Sequence, residues 1–120
     1  MRTLLNGLIV FIAIEHVWFL VLEMFLWDKP FGRRTFGQSV EQAAATKVLA
    51  ANQGLYNGFL VAGLVLALVG PAEHRFSFAV YTLSCVVVAG LFGAVTVSRR
   101  ILWVQALPAA AALVAHLLAR

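Results

Sequence analysis

The sequence predicts an all-α integral membrane protein, built as an antiparallel bundle of four transmembrane helices. Hydrophobic residues make up 62% of the chain and the mean hydropathy is +0.93, whereas soluble domains contain roughly 45–50% apolar residues. The apolar residues fall into four segments, each near the roughly 20 residues that a helix needs to cross a bilayer. Because 120 residues are no more than one domain usually holds, we expect residues 1–120 to form a single membrane domain.

Turn signals set the bounds of the predicted helices. The longest connection, about residues 28–43, opens with Asp28-Lys29-Pro30, Gly70-Pro71 marks the second, and Ser98-Arg99-Arg100 marks the third. Connections this short place consecutive helices side by side and antiparallel. The first connection also has room for a short interfacial helix around Val40 to Ala45. We therefore expect helices at about residues 4–27, 44–69, 76–97 and 101–119.

The first apolar segment is predicted to be a retained helix and not a secretory signal. It is longer than the apolar region of a signal, and it carries Glu15 and Glu23. It ends at Trp27-Asp28-Lys29-Pro30, where no small-residue cleavage site follows.

The basic residues predict the orientation of the bundle and argue against nucleic acid as a partner. The net charge is +4, but the Lys and Arg residues stand at the ends of apolar segments, so no basic face remains for a nucleic acid. One side carries Arg2, Arg75 and Arg120, and the other carries Lys29, Arg33, Arg34, Lys47, Arg99 and Arg100. Since the more basic side faces the cytoplasm, connections 28–43 and 98–100 are predicted to be cytoplasmic and both termini outside.

The first helix carries Glu15, His16 and Glu23. At about 1.5 Å per residue, Glu15 and His16 lie roughly 16–18 Å from the outer end of the helix, near the middle of the bilayer. A charged residue at that depth costs about 2.5–3.5 kcal/mol, and such residues usually mark a pathway or a site. With Glu23 they span an arc of about 120°, which we expect to point inward. Glu15 is thus the leading functional candidate, and the alternative is a neutral Glu15 that joins two helices by a hydrogen bond.

The second helix groups Asn52, Gln53, Tyr56 and Asn57 in an arc of about 140°, at the same predicted depth as Glu15 and His16. A polar contact between membrane helices contributes only about 0.6 kcal/mol on average. Four polar residues in so short a stretch therefore indicate a binding pocket more than packing. Glu23 and Lys47, each about a turn from the cytoplasmic end of its helix, are expected to form an ion pair.

Small residues predict close contacts between helices. They recur every four residues on the second helix, and a second set lies on the third helix. These two stripes are Ala50, Gly54, Gly58 and Ala62, and Ala89-Gly90 with Gly93-Ala94. Pro108 should distort the fourth helix.

No metal site is predicted from the histidines and the cysteine. His116 stands about 13 Å from His16 along the membrane normal, and a zinc site would also need a third ligand. His74 falls in a polar turn. Cys85, inside an apolar run, is interpreted as a packing residue.

Three strings resemble the hallmarks of a bacterial membrane family catalogued as domain of unknown function 1304. They are EHVWFLVLEMFLW, KPFGRRTFG and TKVLAANQGLYNGFLVAG, within roughly residues 10 to 64. The resemblance implies four membrane helices, in a bacterial inner membrane, and brings no established activity.

Two further families are similar at a lower level. Asn57-Gly58 resembles the Asn-Gly pair of the styrene oxide isomerases, four-helix membrane enzymes in which this Asn and a Tyr serve the epoxide. Their haem b ligand is a His six residues earlier, where this chain has Ala51. The similarity therefore implies haem b only if His16 replaces that ligand. Glu15 also resembles the essential first-helix Glu of the small multidrug transporters.

These observations favour a polar pocket between the first and second helices that binds a small lipophilic molecule from the bilayer. Glu15, His16 and Tyr56 would be catalytic, and Asn52, Gln53, Asn57 and Glu23 would bind the substrate. An isomerisation suits such a site, since no nucleophilic machinery is evident, but enzymatic activity stays open. One alternative is a proton-coupled transporter that uses Glu15, working as a homo-oligomer, and another is a membrane scaffold or assembly factor.

Overall fold

The structure is a computed structural model that describes all residues from Met1 to Arg120. Its regular elements are helices alone, which confirms the all-α class. They are α1 (Arg2–Met24), α2 (Pro30–Phe36), α3 (Val40–Val69), α4 (Arg75–Thr96), a π turn (Leu102–Ala106) and α5 (Leu107–Leu118). Of these, α1, α3 and α4 are long and apolar enough to cross a membrane, which indicates membrane insertion, whereas Leu102–Leu118 is a shorter apolar helix.

The short helix of the first connection lies at Pro30–Phe36, so its predicted position around Val40 to Ala45 is wrong. Pro30 begins α2, where a missing N–H costs nothing. Gly37 ends α2 with φ 64°, a left-handed conformation that glycine adopts without steric cost. Gly32 is buried, and a methyl group there would collide with the carbonyl oxygen of Leu26.

Helix α3, the second of the predicted membrane helices, begins at Val40 and not at the predicted residue 44, because Ser39 and Gln42 form a capping box. The Gln42 N–H donates to Ser39 Oγ at 3.1 Å, and the Ser39 N–H donates to Gln42 Oε1 at 3.0 Å. This reciprocal pair satisfies two N–H groups that would otherwise lack partners, so the helix starts directly after Ser39.

Pro108 distorts the last helix, as predicted. Proline removes a backbone donor and its ring conflicts with the carbonyl one turn earlier. The chain widens by one residue just before it, and the Leu107 N–H donates to the Leu102 oxygen five residues back. The π turn is the result.

Contacts divide the chain into two compact units, Met1–Ala13 with Ala62–Arg120, and Ile14–Val61. In the first unit, α4 packs closely on the π turn: a methyl group at Gly90 would stand 2.7 Å from the Ala106 nitrogen, and one at Gly93 would stand 3.1 Å from Ile101 Cγ2. The predicted small-residue face of α4 is thereby confirmed. A methyl group at Gly63 of α3 would collide with the hydroxyl group of Thr82 on α4.

In the second unit, α1 packs on the predicted small-residue stripe of α3. A methyl group at Gly54 would stand 2.5 Å from Met24 Cγ and 3.2 Å from Glu23 Cβ, and one at Gly58 would stand 3.1 Å from Leu20 Cδ1. The prediction of a close helix contact at Gly54 and Gly58 is confirmed.

Candidate functional site

The first turns of α3 run past the end of α1. Trp27 Nε1 donates to Thr46 Oγ1 at 3.0 Å, and Lys47 Nζ donates to Asp28 Oδ2 at 2.9 Å. Gly54 is the first glycine of α3 to reach α1 itself, at its last residue Met24. With 30 residues, α3 is about 45 Å long at 1.5 Å per residue, longer than the roughly 30 Å apolar thickness of a bilayer. The part of α3 before Gly54 therefore runs past Trp27 and Asp28, beyond the end of α1.

This register gives Glu23 and Lys47 different partners, so the predicted ion pair between them is wrong. Glu23 is 7% exposed and accepts a hydrogen bond from Asn57 Nδ2 at 2.6 Å. Lys47 pairs instead with Asp28. The hydrogen bond from Lys47 lowers the pKa of the Asp28 carboxyl below its ordinary value, and the positive charge of Lys47 acts in the same direction.

Three of the four polar residues in the arc predicted on the second helix do not face α1. Asn52 and Gln53 are exposed, and Tyr56 is 58% exposed with its ring edge-on to Phe59 at 5.9 Å. Only Asn57 turns toward α1. The face of α3 that meets α1 is the glycine stripe, because only residues without side chains allow the backbones to approach this closely.

Glu15 and His16 lie on α1 about two turns before Glu23, or roughly 10–12 Å along the axis. His16 has no exposed surface, and its ring packs edge-on against Phe19 at 5.2 Å. Glu15 is half-buried, and its Oε2 atom is buried without a hydrogen-bond partner. The structure thus separates two polar positions on α1, one at Glu15 and His16, and one at Glu23 with Asn57.

Of the predicted site residues, only Glu23 and Asn57 are brought into direct contact across two helices. Sequence reasoning missed Asp28 and Thr46, which bind Lys47 and Trp27. The signal for both was the capping box at Ser39, since a helix that starts there places Thr46 and Lys47 beside the end of α1. No three His, Cys, Asp or Glu side chains lie close enough together to hold a metal ion.

The model of a family described as "Protein of unknown function (DUF1304)" matches residues 10–117. The chain belongs to the DUF1304 family. No curated protein and no solved structure matches the chain, and the similarity to the styrene oxide isomerases is not shown by these comparisons.

The DUF1304 match covers nearly the whole chain, so it includes the predicted site residues and both polar positions of α1. In this DUF1304 protein the side chain of His16 has no exposed surface through which a macrocycle could approach it. The residues around His16 therefore do not fit haem b ligation. The catalytic and binding roles of the predicted site residues, and the homo-oligomer, stay predictions.

Proposed function

We propose that this chain is an integral membrane protein of four antiparallel transmembrane helices, which binds a small lipophilic molecule at Glu15. The π turn of five residues continues into the twelve of α5, and together they reach the lower limit of about 17 residues for a spanning helix. Large apolar side chains also stand exposed on the long helices, including Phe11 at 56%, Phe92 at 70% and Val95 at 87%. Such exposure is costly in water and costs nothing against lipid.

The proposed orientation places both termini outside a bacterial inner membrane and connections 28–43 and 98–100 in the cytoplasm. It is tested by single cysteines in a Cys85→Ser background, labelled in intact cells with a maleimide that does not cross membranes. We expect Glu73→Cys to react in intact cells with an opened outer membrane, and Arg34→Cys to react only after lysis. The reverse pattern would invert the orientation, and equal reaction of both would contradict the spanning helices.

The binding proposal rests on the Oε2 atom of Glu15. This atom is buried without a hydrogen-bond partner. A buried polar group without a partner costs roughly 1–3 kcal/mol, and an acidic residue inside a membrane helix usually serves a function. A ligand that donates a hydrogen bond would remove this cost. The proposed ligand is therefore a small lipophilic molecule with one hydroxyl or amino group.

The other polar residues support this site in different ways. The Glu23–Asn57 hydrogen bond fixes α1 against α3 about two turns from Glu15. His16, the next residue on α1, packs its ring against Phe19. Tyr56, Asn52 and Gln53 lie on the exposed face of α3, at the level where ligands would enter from the interface. A carboxyl group that takes and gives a proton suits an isomerisation, which is the finer form of the proposal.

The substitution Glu15→Gln tests the binding proposal. Mass spectrometry of organic extracts from the purified chain should find a small lipophilic molecule in stoichiometric amount with the natural sequence and at least tenfold less with Glu15→Gln, because the amide lacks the carboxyl's accepting strength. Glu73→Gln is the matched control, since Glu73 is exposed in a loop, and should retain the molecule. No enrichment over mock extracts, or equal enrichment in all three proteins, would sink the proposal.

Proton-coupled transport by the same carboxyl predicts one further observation. Addition of the identified molecule to weakly buffered protein should then release about one proton per chain, and Glu15→Gln should abolish the release. Binding without proton release would leave binding or isomerisation as the function.

The scaffold alternative needs a stripe of small residues that is free to bind a helix of another protein. The stripe at Gly54 and Gly58 does not provide one, because α1 of the same chain occupies it.

A further inference from the structure

A cavity of about 290 Å³ lies in the first unit, at the end where two helices begin and two end. Its walls come from the first turns of α1 and α4, the last turns of α3 and the end of α5. Because α1, α3 and α4 are the apolar helices long enough to span a membrane, this end of them belongs at a membrane surface. All the residues that line the cavity differ from those of the site at Glu15.

The polar part of the cavity wall is cationic. Arg2 and Arg75 line it, together with Asn6 and His116, and no Asp or Glu does. Arg75 Nε donates to the Gly70 oxygen at 2.7 Å, which holds the guanidinium at the start of α4. A planar guanidinium offers paired N–H groups that match the oxygens of a phosphate.

The rest of the wall is apolar, and a third cation stands next to it. Phe76 and Ala79 line the cavity beside Arg75, and the Arg120 guanidinium lies 4.7 Å from the centre of the Phe76 ring. A cation over an aromatic face is attracted by the electrons of the ring. The cavity thus combines arginines at its rim with apolar side chains.

We propose that this cavity binds the phosphate group of an anionic lipid, with Arg2 and Arg75 on the phosphate and Phe76 and Ala79 against the first carbons of the lipid. The shared chemistry is a phosphate anion, and the apolar wall favours one attached to an acyl chain. Zwitterionic lipids bind less well because their own cation competes with the arginines.

Native mass spectrometry of the full chain, released from neutral detergent, tests this site. Phosphatidylglycerol should bind at least tenfold more tightly than phosphatidylcholine of the same acyl chains. Arg2→Gln should weaken phosphatidylglycerol binding by about tenfold. The Arg2 side chain makes no hydrogen bond to the protein, so Arg2→Gln breaks none. Arg75→Gln is the second variant and should have a similar or larger effect. Arg100→Gln, an exposed arginine that does not line the cavity, should change nothing.

Three outcomes would overturn the proposal. Equal affinity for the two lipids would show an apolar groove without headgroup recognition. Unchanged phosphatidylglycerol affinity in both Arg2→Gln and Arg75→Gln would place the lipid elsewhere. Displacement of the lipid by millimolar inorganic phosphate would assign the cavity to a free anion.

Discussion

Gly90→Ala should lower the free energy of unfolding of this protein by about 2–3 kcal/mol, the upper part of the range for overpacking. A methyl group at Gly90 would stand 2.7 Å from the Ala106 nitrogen and 2.8 Å from its Cα and Cβ. Nonbonded carbon atoms prefer about 3.5–4.0 Å, and backbone atoms cannot turn aside as a side chain can. The whole π turn would have to move away from α4.

Two other glycines provide matched controls for this substitution. At Gly93 the added methyl would meet Ile101 Cγ2 at 3.1 Å and Cδ1 at 3.2 Å, atoms of a side chain that can rotate, so Gly93→Ala should cost less than about 1 kcal/mol. At Gly7 nothing lies within 4 Å, so Gly7→Ala should be neutral or stabilising by up to about 1 kcal/mol. Unfolding by sodium dodecyl sulfate in mixed micelles measures all three. Equal effects at Gly90 and Gly7 would contradict the packing of α4 on the π turn.

Asn57→Ala should lower the free energy of unfolding by about 2 kcal/mol, because it leaves the buried Glu23 carboxyl without its partner. Glu23 is 7% exposed and accepts the Asn57 N–H at 2.6 Å. Glu23→Ala removes the acceptor and should cost a similar amount. The two effects should not add, since each removes the same hydrogen bond.

The double-mutant cycle of these two substitutions gives the coupling energy directly. We expect a coupling of about 1–2 kcal/mol, toward the upper end of values for membrane helices. Asn52→Ala is the control, because Asn52 lies on the same helix but is exposed. It should change stability by less than about 0.5 kcal/mol. Additive effects of Asn57→Ala and Glu23→Ala, or an equal effect of Asn52→Ala, would contradict the α1–α3 register.

The sequence predicted the apolar helices well because length and hydropathy alone determine a spanning segment. The close contacts at Gly54, Gly58 and Gly90 were also predictable, since only small residues allow helix backbones to meet. The distortion before α5 was predictable from Pro108, because a proline disturbs the backbone hydrogen bonds of its own helix. In each of these cases one helix holds all the information.

Register between helices could not be predicted in the same way. A depth taken from the ends of the helices assumes that neighbouring helices begin at the same level. Because α3 begins at Val40 and meets the last residue of α1 at Gly54, Asn52 and Gln53 lie beyond the end of α1. The local signals were present in Ser39 and Gln42 and in the Pro30 to Gly37 spacing of α2. They concern chain ends and turns, so hydropathy does not reveal them.

The candidate site also contains features that follow from one helix and features that depend on the register between helices. The positions of Glu15 and His16 within α1 follow from the sequence, and the structure places His16 in full burial. The partners of Glu23 and Lys47 depended on the register, and both were predicted wrongly. A missing hydrogen-bond partner at Glu15 Oε2 is a property of three-dimensional packing that no sequence pattern could supply.

An experimental structure of the purified chain in lipid nanodiscs tests the central claim, that Glu15 binds a lipophilic molecule, most directly. We predict non-protein density within hydrogen-bond distance of Glu15 Oε2, about 2.6–3.2 Å, and none at that place in Glu15→Gln. A Glu15 carboxyl that is hydrogen-bonded to a side chain or backbone group of the protein, with no density beside it, would contradict the claim.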